Sequence, residues 1–350
     1  MRIRWLALTG VAAVLLLGTV AWAPRLSARL PQPSGLHAFS QTQLSLDTGE
    51  RAYRVMLWAP TDVHAPMPLL LFAPGWGDAA DDCASLLADL ASHGYLVAAF
   101  DDVGRDPPVS GESARDRADR TASLTMASPE EYQSLLSLAG RRVALSAGKG
   151  EAVLNALLAS PEWASRVDRQ RIGFVGYSFG GATGVEQSLR DSRIRAVVNL
   201  DGWLFGEGMN GPRVPYLLIS IPEDFPPAEW KDSTEGWQRA TYQGAITDQS
   251  IHRALLPRSD FQWLMVANTG HSDLSDAPLR GGLRQSFTTT ERRREELLRS
   301  KQAQYAAIRA FLDHYVRGLS APAAFDERGA ATGLRKIGEH DLLKQTQGVH

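Results

Sequence analysis

Short apolar runs alternate with helix-patterned segments along most of this chain. The runs Tyr53–Trp58, Leu69–Ala73, Tyr95–Phe100, Ile172–Val175, Ala196–Leu200, Tyr216–Ser220 and Trp263–Ala267 predict strands. Several are continuous rather than alternating, which is how strands buried on both faces read. Between them, Ala80–Ser92 carries Leu86, Leu87 and Leu90 at helical spacing, Glu131–Ser160 predicts a long helix interrupted near Gly148 and Gly150, and Gly181–Arg190 predicts another. Thr290–Arg317 closes the pattern with a helix charged on one face. This alternation implies an α/β fold, a mostly parallel sheet with helices on both faces.

The two ends read differently. Arg2 and Arg4 precede an uncharged run, Trp5–Ala23, that ends in Ala21-Trp22-Ala23 before Pro24. A basic start, an apolar stretch and a small-x-small end predict an export signal over 1–23, either cleaved or kept as a membrane anchor. The remainder is then expected outside the cytoplasm, periplasmic, secreted or anchored, with membrane contact through 5–23. Residues 24–45, with Pro24, Pro31, Pro33 and Gly35, read as a linker. Residues 46–320 read as the catalytic domain and 321–350 as a peripheral tail. The excursion 103–130, rich in Arg, Asp, Ser and Pro, reads as mobile surface or an active-site cover. Residues 225–258 read as a loop, and loops of this kind shape acyl and leaving-group pockets.

Composition narrows the function classes. With 44% hydrophobic and 22% charged residues the chain can bury a sizeable core. A formal net charge of −2 without like-charge blocks argues against nucleic-acid partners. The single cysteine, Cys83, reads as a small buried apolar residue, and no pattern calls for a metal or organic cofactor.

One motif carries chemistry. Gly176-Tyr177-Ser178-Phe179-Gly180 follows an apolar strand and precedes a helix pattern opening on Gly181-Ala182. A serine on such a turn has its hydroxyl lifted from the sheet toward a helix N-terminus. It needs a base to take its proton. Of the eight histidines only His271 follows the last predicted strand, in the small polar loop Ala267-Asn-Thr-Gly-His-Ser-Asp273. Two regions offer an acid to orient it: Asp201 at the end of Ala196–Leu200, and Glu223-Asp224 after Tyr216–Ser220. Asp273 and Asp276 lie too near His271 in sequence to do so and read as solvated. Backbone N–H donors for an oxyanion are expected from Phe179 and from Trp76, which lies between two glycines after Leu69–Ala73. Trp203 and Phe205, with Trp76, are candidate lining for an apolar acyl pocket.

Taken together, four segments resemble the platelet-activating-factor acetylhydrolases of the plasma and type II group, within the α/β-hydrolase superfamily. They are Pro68–Asp101 with Ala91-Ser-His-Gly94, the elbow Gly176–Ala182, Leu200-Asp201-Gly-Trp203-Leu-Phe205, and the His271 loop. The resemblance implies an α/β-hydrolase fold, Asp201 rather than Asp224 as the acid, and hydrolysis of short acyl esters, acetylated phospholipids among them. Pro74 stands where that family has a histidine, and dienelactone-hydrolase-like esterases are similar too. A peptidase of the same fold and a non-catalytic binding module are the competing classes.

Overall fold

A computed structural model describes residues 30–48, 51–280, 290–320 and 333–346. Its strands are β1 (Phe39–Asp47), β2 (Ala52–Pro60), β3 (Met67–Ala73), β4 (Leu96–Phe100), β5 (Val167–Tyr177), β6 (Ile194–Leu200), β7 (Tyr216–Ser220), β8 (Phe261–Val266) and β9 (Leu334–Lys336). They form a sheet in the order β1-β2-β4-β3-β5-β6-β7-β8-β9. From β4 to β8 all pairings are parallel; β1, β2 and β9 join antiparallel. The principal helices are α1 (Ala84–Ser92), α2 (Ala114–Thr121), α3 (Pro129–Ala159), α4 (Phe179–Arg190), α5 (Gly236–Leu255), α6 (Glu291–Tyr315) and α7 (Glu339–Thr346).

Strand geometry divides the core in two. Leu69 and Leu71 face one way, against Leu154 and Val143 of α3 and Val185 of α4. Leu70 and Phe72 face the other, against Leu87 and Leu90 of α1 and Ile308 and Leu312 of α6. These β3 side chains are fully enclosed, and each contributes about 1.5–3 kcal/mol by leaving water. The uninterrupted apolar runs are thus strands covered on both sides.

The fold departs from the sequence reading in four places. Helix α3 runs unbroken through Gly148 and Gly150. A Cβ on Gly150 would lie 2.1 Å from Gln187 Oε1 of α4, so this glycine permits close helix packing and does not mark a break. The region read as a linker already contains the start of β1. The segment 225–258 contains the twenty-residue helix α5. The C-terminal tail is not wholly peripheral: β9 pairs with β8 through Val266↔Leu334, Met265↔Arg335 and Leu264↔Lys336, and Ile337 is fully buried. Among the described residues no helix is long and apolar enough to cross a membrane. Residues 1–23, read as a signal or anchor, lie outside the described residues.

Candidate active site

Strand β5 ends at Tyr177 and α4 begins at Phe179, leaving Ser178 alone on the turn at φ 54° and ψ −126°. A non-glycine residue there stores on the order of 1–3 kcal/mol of backbone strain. Two hydrogen bonds hold it: the Ser178 N–H donates to the Leu200 carbonyl at 2.7 Å, and the Gly181 N–H donates to the Ser178 carbonyl at 2.8 Å. The flanking glycines serve close approach. A Cβ on Gly176 would sit 2.0 Å from the Gly180 carbonyl oxygen, and one on Gly180 would sit 2.0 Å from the Ala73 carbonyl oxygen.

His271 opens a short turn after β8 that is pinned from several sides. The Gly270 N–H donates to Asp273 Oδ2 at 2.9 Å, and Arg293 of α6 donates to the same oxygen at 2.5 Å. Asp276, read as solvated, is fully buried, and it accepts from the Ser85 N–H at 2.8 Å and from the Ser85 hydroxyl. Both carboxylates are loop anchors. Their sequence proximity to His271 reflects the turn they tie down. Tyr177 stacks on the imidazole with ring centroids 5.1 Å apart, and its hydroxyl donates to the His271 carbonyl at 3.2 Å.

These loops converge. His271 Nε2 lies 2.9 Å from Ser178 Oγ, and His271 Nδ1 lies 2.6 Å from Asp201 Oδ2. Asp201 follows β6 at φ 59°, a left-handed conformation that Asp tolerates better than most residues. Its N–H donates to the Ile219 carbonyl at 2.8 Å. Asn199 braces the same turn, accepting from the Gly202 N–H at 2.8 Å and donating to the Gly202 carbonyl at 2.7 Å. Of the alternative acids, Glu223 stands exposed at the pocket rim. Asp224 spends its oxygens on the Ile221 N–H and the Trp203 indole N–H, while Asp201 makes the hydrogen bond to the imidazole.

Burial sets the electrostatics. It pushes the Asp201 carboxyl up to about 6. Desolvation holds the His271 imidazole below the usual histidine value, partly countered by the negative charge of Asp78 and Glu223. General-base action needs neutral His271 and ionised Asp201, so both protonations disable the site as pH falls. The acid limb of kcat/KM for an ester is therefore expected near pH 6, where Asp201 loses its charge. A limb above the ordinary imidazole value of 6.5 in a stopped-time pH series would contradict this.

Phe179 is the first residue of α4, so its N–H has no intrahelical acceptor and faces the turn. The Pro74–Gly77 loop adjoins it: a Cβ on Gly75 would lie 3.2 Å from Ser178 Cβ. The Trp76 indole packs edge-on against Phe179 at 4.8 Å, and its N–H donates to the Ala122 carbonyl at 2.9 Å. Phe205 lies 5.9 Å from Phe179. With Trp203, these rings line a pocket of about 310 Å³ above Ser178 and His271.

Sequence reasoning missed the rest of that pocket. Leu124 and Met126 come from the excursion 103–130, Leu135 from α3, Ile221 from the turn after β7 and Thr241 from α5. The excursion is held by buried ion pairs. Arg142 of α3 bonds Asp102, and Lys149 donates to the Asp101 carbonyl at 2.7 Å and to Asp106 at 2.5 Å. Arg142 also lies 4.2 Å over the Trp76 ring, linking this network to the loop beside Ser178. Asp78 in that loop was missed as well; burial, reinforced by Asp82 and Asp102, pushes its carboxyl up to about 6. Among the described residues no cluster of His, Cys, Asp and Glu is arranged to hold a metal ion.

Comparison with known proteins fits this picture. The family model "Platelet-activating factor acetylhydrolase, isoform II" matches residues 131–263, from the start of α3 through the elbow and Asp201 to β8. A platelet-activating factor acetylhydrolase of Cavia porcellus is 24% identical over 242 residues, covering 62% of this chain and 50% of its own length. One of Bos taurus is 30% identical over 176 residues, covering 44% and 39%. A "probable 1-alkyl-2-acetylglycerophosphocholine esterase" of Arthroderma benhamiae is 28% identical, covering 50% and 41%. The chain thus spans about half the length of the curated relatives it matches. A ferulic acid esterase of Streptomyces cinnamoneus superposes with a TM-score of 0.62 at 22% identity, over 87% of this chain and 98% of that one. The fold is that of the α/β-hydrolases, and the resemblance to the isoform II acetylhydrolases is borne out over the central part of the chain.

Proposed function

We propose, from this kinship and from the site, that the protein is a serine carboxylic-ester hydrolase acting on short-chain acyl esters, acetylated phospholipids among them. The observation that carries the reading is the relay of Ser178 Oγ, His271 and Asp201, at 2.9 and 2.6 Å, on the floor of an apolar pocket. Ser178 Oγ attacks the ester carbonyl as His271 Nε2 takes its proton. Asp201 holds the Nδ1–H tautomer and stabilises the imidazolium. The N–H groups of Phe179 and Trp76 receive the oxyanion. His271 then protonates the departing alcohol. Water, deprotonated by the same nitrogen, cleaves the acyl-enzyme. The acyl group lies among Trp76, Phe179, Trp203 and Phe205, with Leu124 and Leu135 limiting its length. Export through residues 1–23 is part of the same proposal and would bring the site to extracytoplasmic or membrane-borne esters.

The test is a panel of p-nitrophenyl esters from acetyl to palmitoyl, an acetylated glycerophospholipid and matched amides. Short acyl esters are expected to turn over at least about tenfold faster than palmitoyl, because a pocket of about 310 Å³ cannot take up the longer chain. Preferential amide cleavage would make the protein a peptidase. Failure to cleave any ester, together with failure of a fluorophosphonate to label Ser178, would leave a binding module.

A further inference from the structure

The two acids that the sequence offers for His271 stand side by side. Asp201 turns one oxygen, Oδ2, to the imidazole. Its other oxygen, Oδ1, is buried and makes no well-formed hydrogen bond among the described residues, the nearest N–H being that of Ile221, which bonds Asp224 Oδ2 at 3.2 Å. Such an acceptor costs considerable stability when left bare. Asp201 and Asp224 line the same small cavity with Asp248 and Gln249, and each carboxyl weighs on the other's protonation. Two carboxylates cannot share a hydrogen bond; a carboxylic acid and a carboxylate can.

The setting of Asp224 is consistent with the neutral form. Its Oδ2 accepts from the Ile221 N–H and its Oδ1 from the Trp203 indole N–H, both at 3.2 Å, long for bonds to an ionised oxygen. The groups facing the pair are Asp248 of α5, Glu223 beside it and His271. His252, fully buried, is engaged with Asp248 at 3.0 Å. An ionised Asp224 would therefore meet mainly negative charge. Half-buried at the pocket wall, it is desolvated enough that, with the neighbouring Asp201 carboxylate, its pKa is raised well above the usual carboxyl value.

We propose that Asp224 is a positioning residue: a protonated carboxylic acid whose hydroxyl donates to Asp201 Oδ1 and holds that carboxylate in the plane that meets His271. Trp203, Ile221 and Gln249, which donates to the Asp224 carbonyl at 2.5 Å, hold Asp224 in turn. The inference rests on the esterase reading only for its effect on turnover. The proton itself can be observed in the resting protein.

Two measurements test it. In the infrared difference between wild type and Asp224→Asn at neutral pH, the wild type should show a protonated-carboxyl carbonyl band that the variant lacks. An ionised-carboxylate difference alone overturns the proposal, whether or not the protein cleaves esters. In kinetics, Asp224→Ala strips the donor and is expected to lower kcat about 10- to 100-fold, with KM little changed and the acid limb moved to higher pH. Asp224→Asn, whose amide can still donate to Oδ1, should restore most of that loss. If Asn is as impaired as Ala, the hydroxyl donor is not what Asp224 supplies. A wild-type protein that shows the band but cleaves no ester refutes the esterase reading and leaves this one standing.

Discussion

Replacing Ser178 with alanine is expected to lower kcat/KM on a short p-nitrophenyl ester by at least ~10³-fold, and toward ~10⁶-fold if the relay acts as a unit. The nucleophilic oxygen disappears, and neither the His271 base nor the oxyanion donors have anything left to activate. The fold should survive. The bonds that hold the turn are made by the Ser178 backbone, through its N–H to Leu200 and its carbonyl to Gly181, and alanine keeps both. The thermal midpoint should stay within a few degrees of wild type, so that lost activity reports chemistry. Fluorophosphonate labelling should vanish in parallel. An unchanged hydrolysis rate in a folded, unlabelled variant would remove Ser178 from the reaction and the esterase reading with it.

Much of this architecture was legible in the residues because its strands are buried on both faces. Leu70, Val97 and Ile219 sit in continuous apolar runs that no surface element would carry, and the turn chemistry of Gly176–Gly180 is explicit. Helix α5 was not legible because its buried face, Leu255 at its end apart, is made of Ala240, Gly244, Ala245, Gln249 and His252. The spacing is helical, but small and polar residues fill it, so no hydrophobic period appears. Gly244 is small for a reason: a Cβ there would lie 2.3 Å from the Trp203 ring. Strand β1 escaped notice because it is an edge strand, exposed along most of its length, with few apolar positions to alternate. Within the site, Ser178, Asp201 and His271 each stand after a strand, where order along the chain is informative. Leu124 and Met126 reach the pocket from a polar excursion that pairs such as Lys149–Asp106 and Arg141–Asp119 tie to α3, and a pairing between distant charges leaves no local signature.

Asp201→Asn is the substitution that separates charge from architecture. Asp201 sits at φ 59°, a conformation Asn adopts at least as readily, so the turn after β6 and its bond from the Asp201 N–H to Ile219 should persist. What changes is the partner offered to His271 Nδ1. A carboxylate accepts the Nδ1–H and leaves Nε2 free to take the serine proton. A carboxamide can instead turn its NH₂ toward Nδ1, favouring the tautomer with Nε2 protonated, which cannot act as base. It also removes the negative charge that stabilises the imidazolium formed during attack. Loss in kcat is expected at about 10³- to 10⁴-fold, with substrate binding little affected, since Asn keeps the size and shape of Asp at the pocket wall. The loss should lessen as pH rises and hydroxide takes over the role of the base. A variant retaining more than a tenth of wild-type kcat at neutral pH would show that His271 is oriented from elsewhere. Asp224, which shares the pocket wall, would then be the group to examine, because deprived of its charged neighbour it could ionise and take up the contact itself.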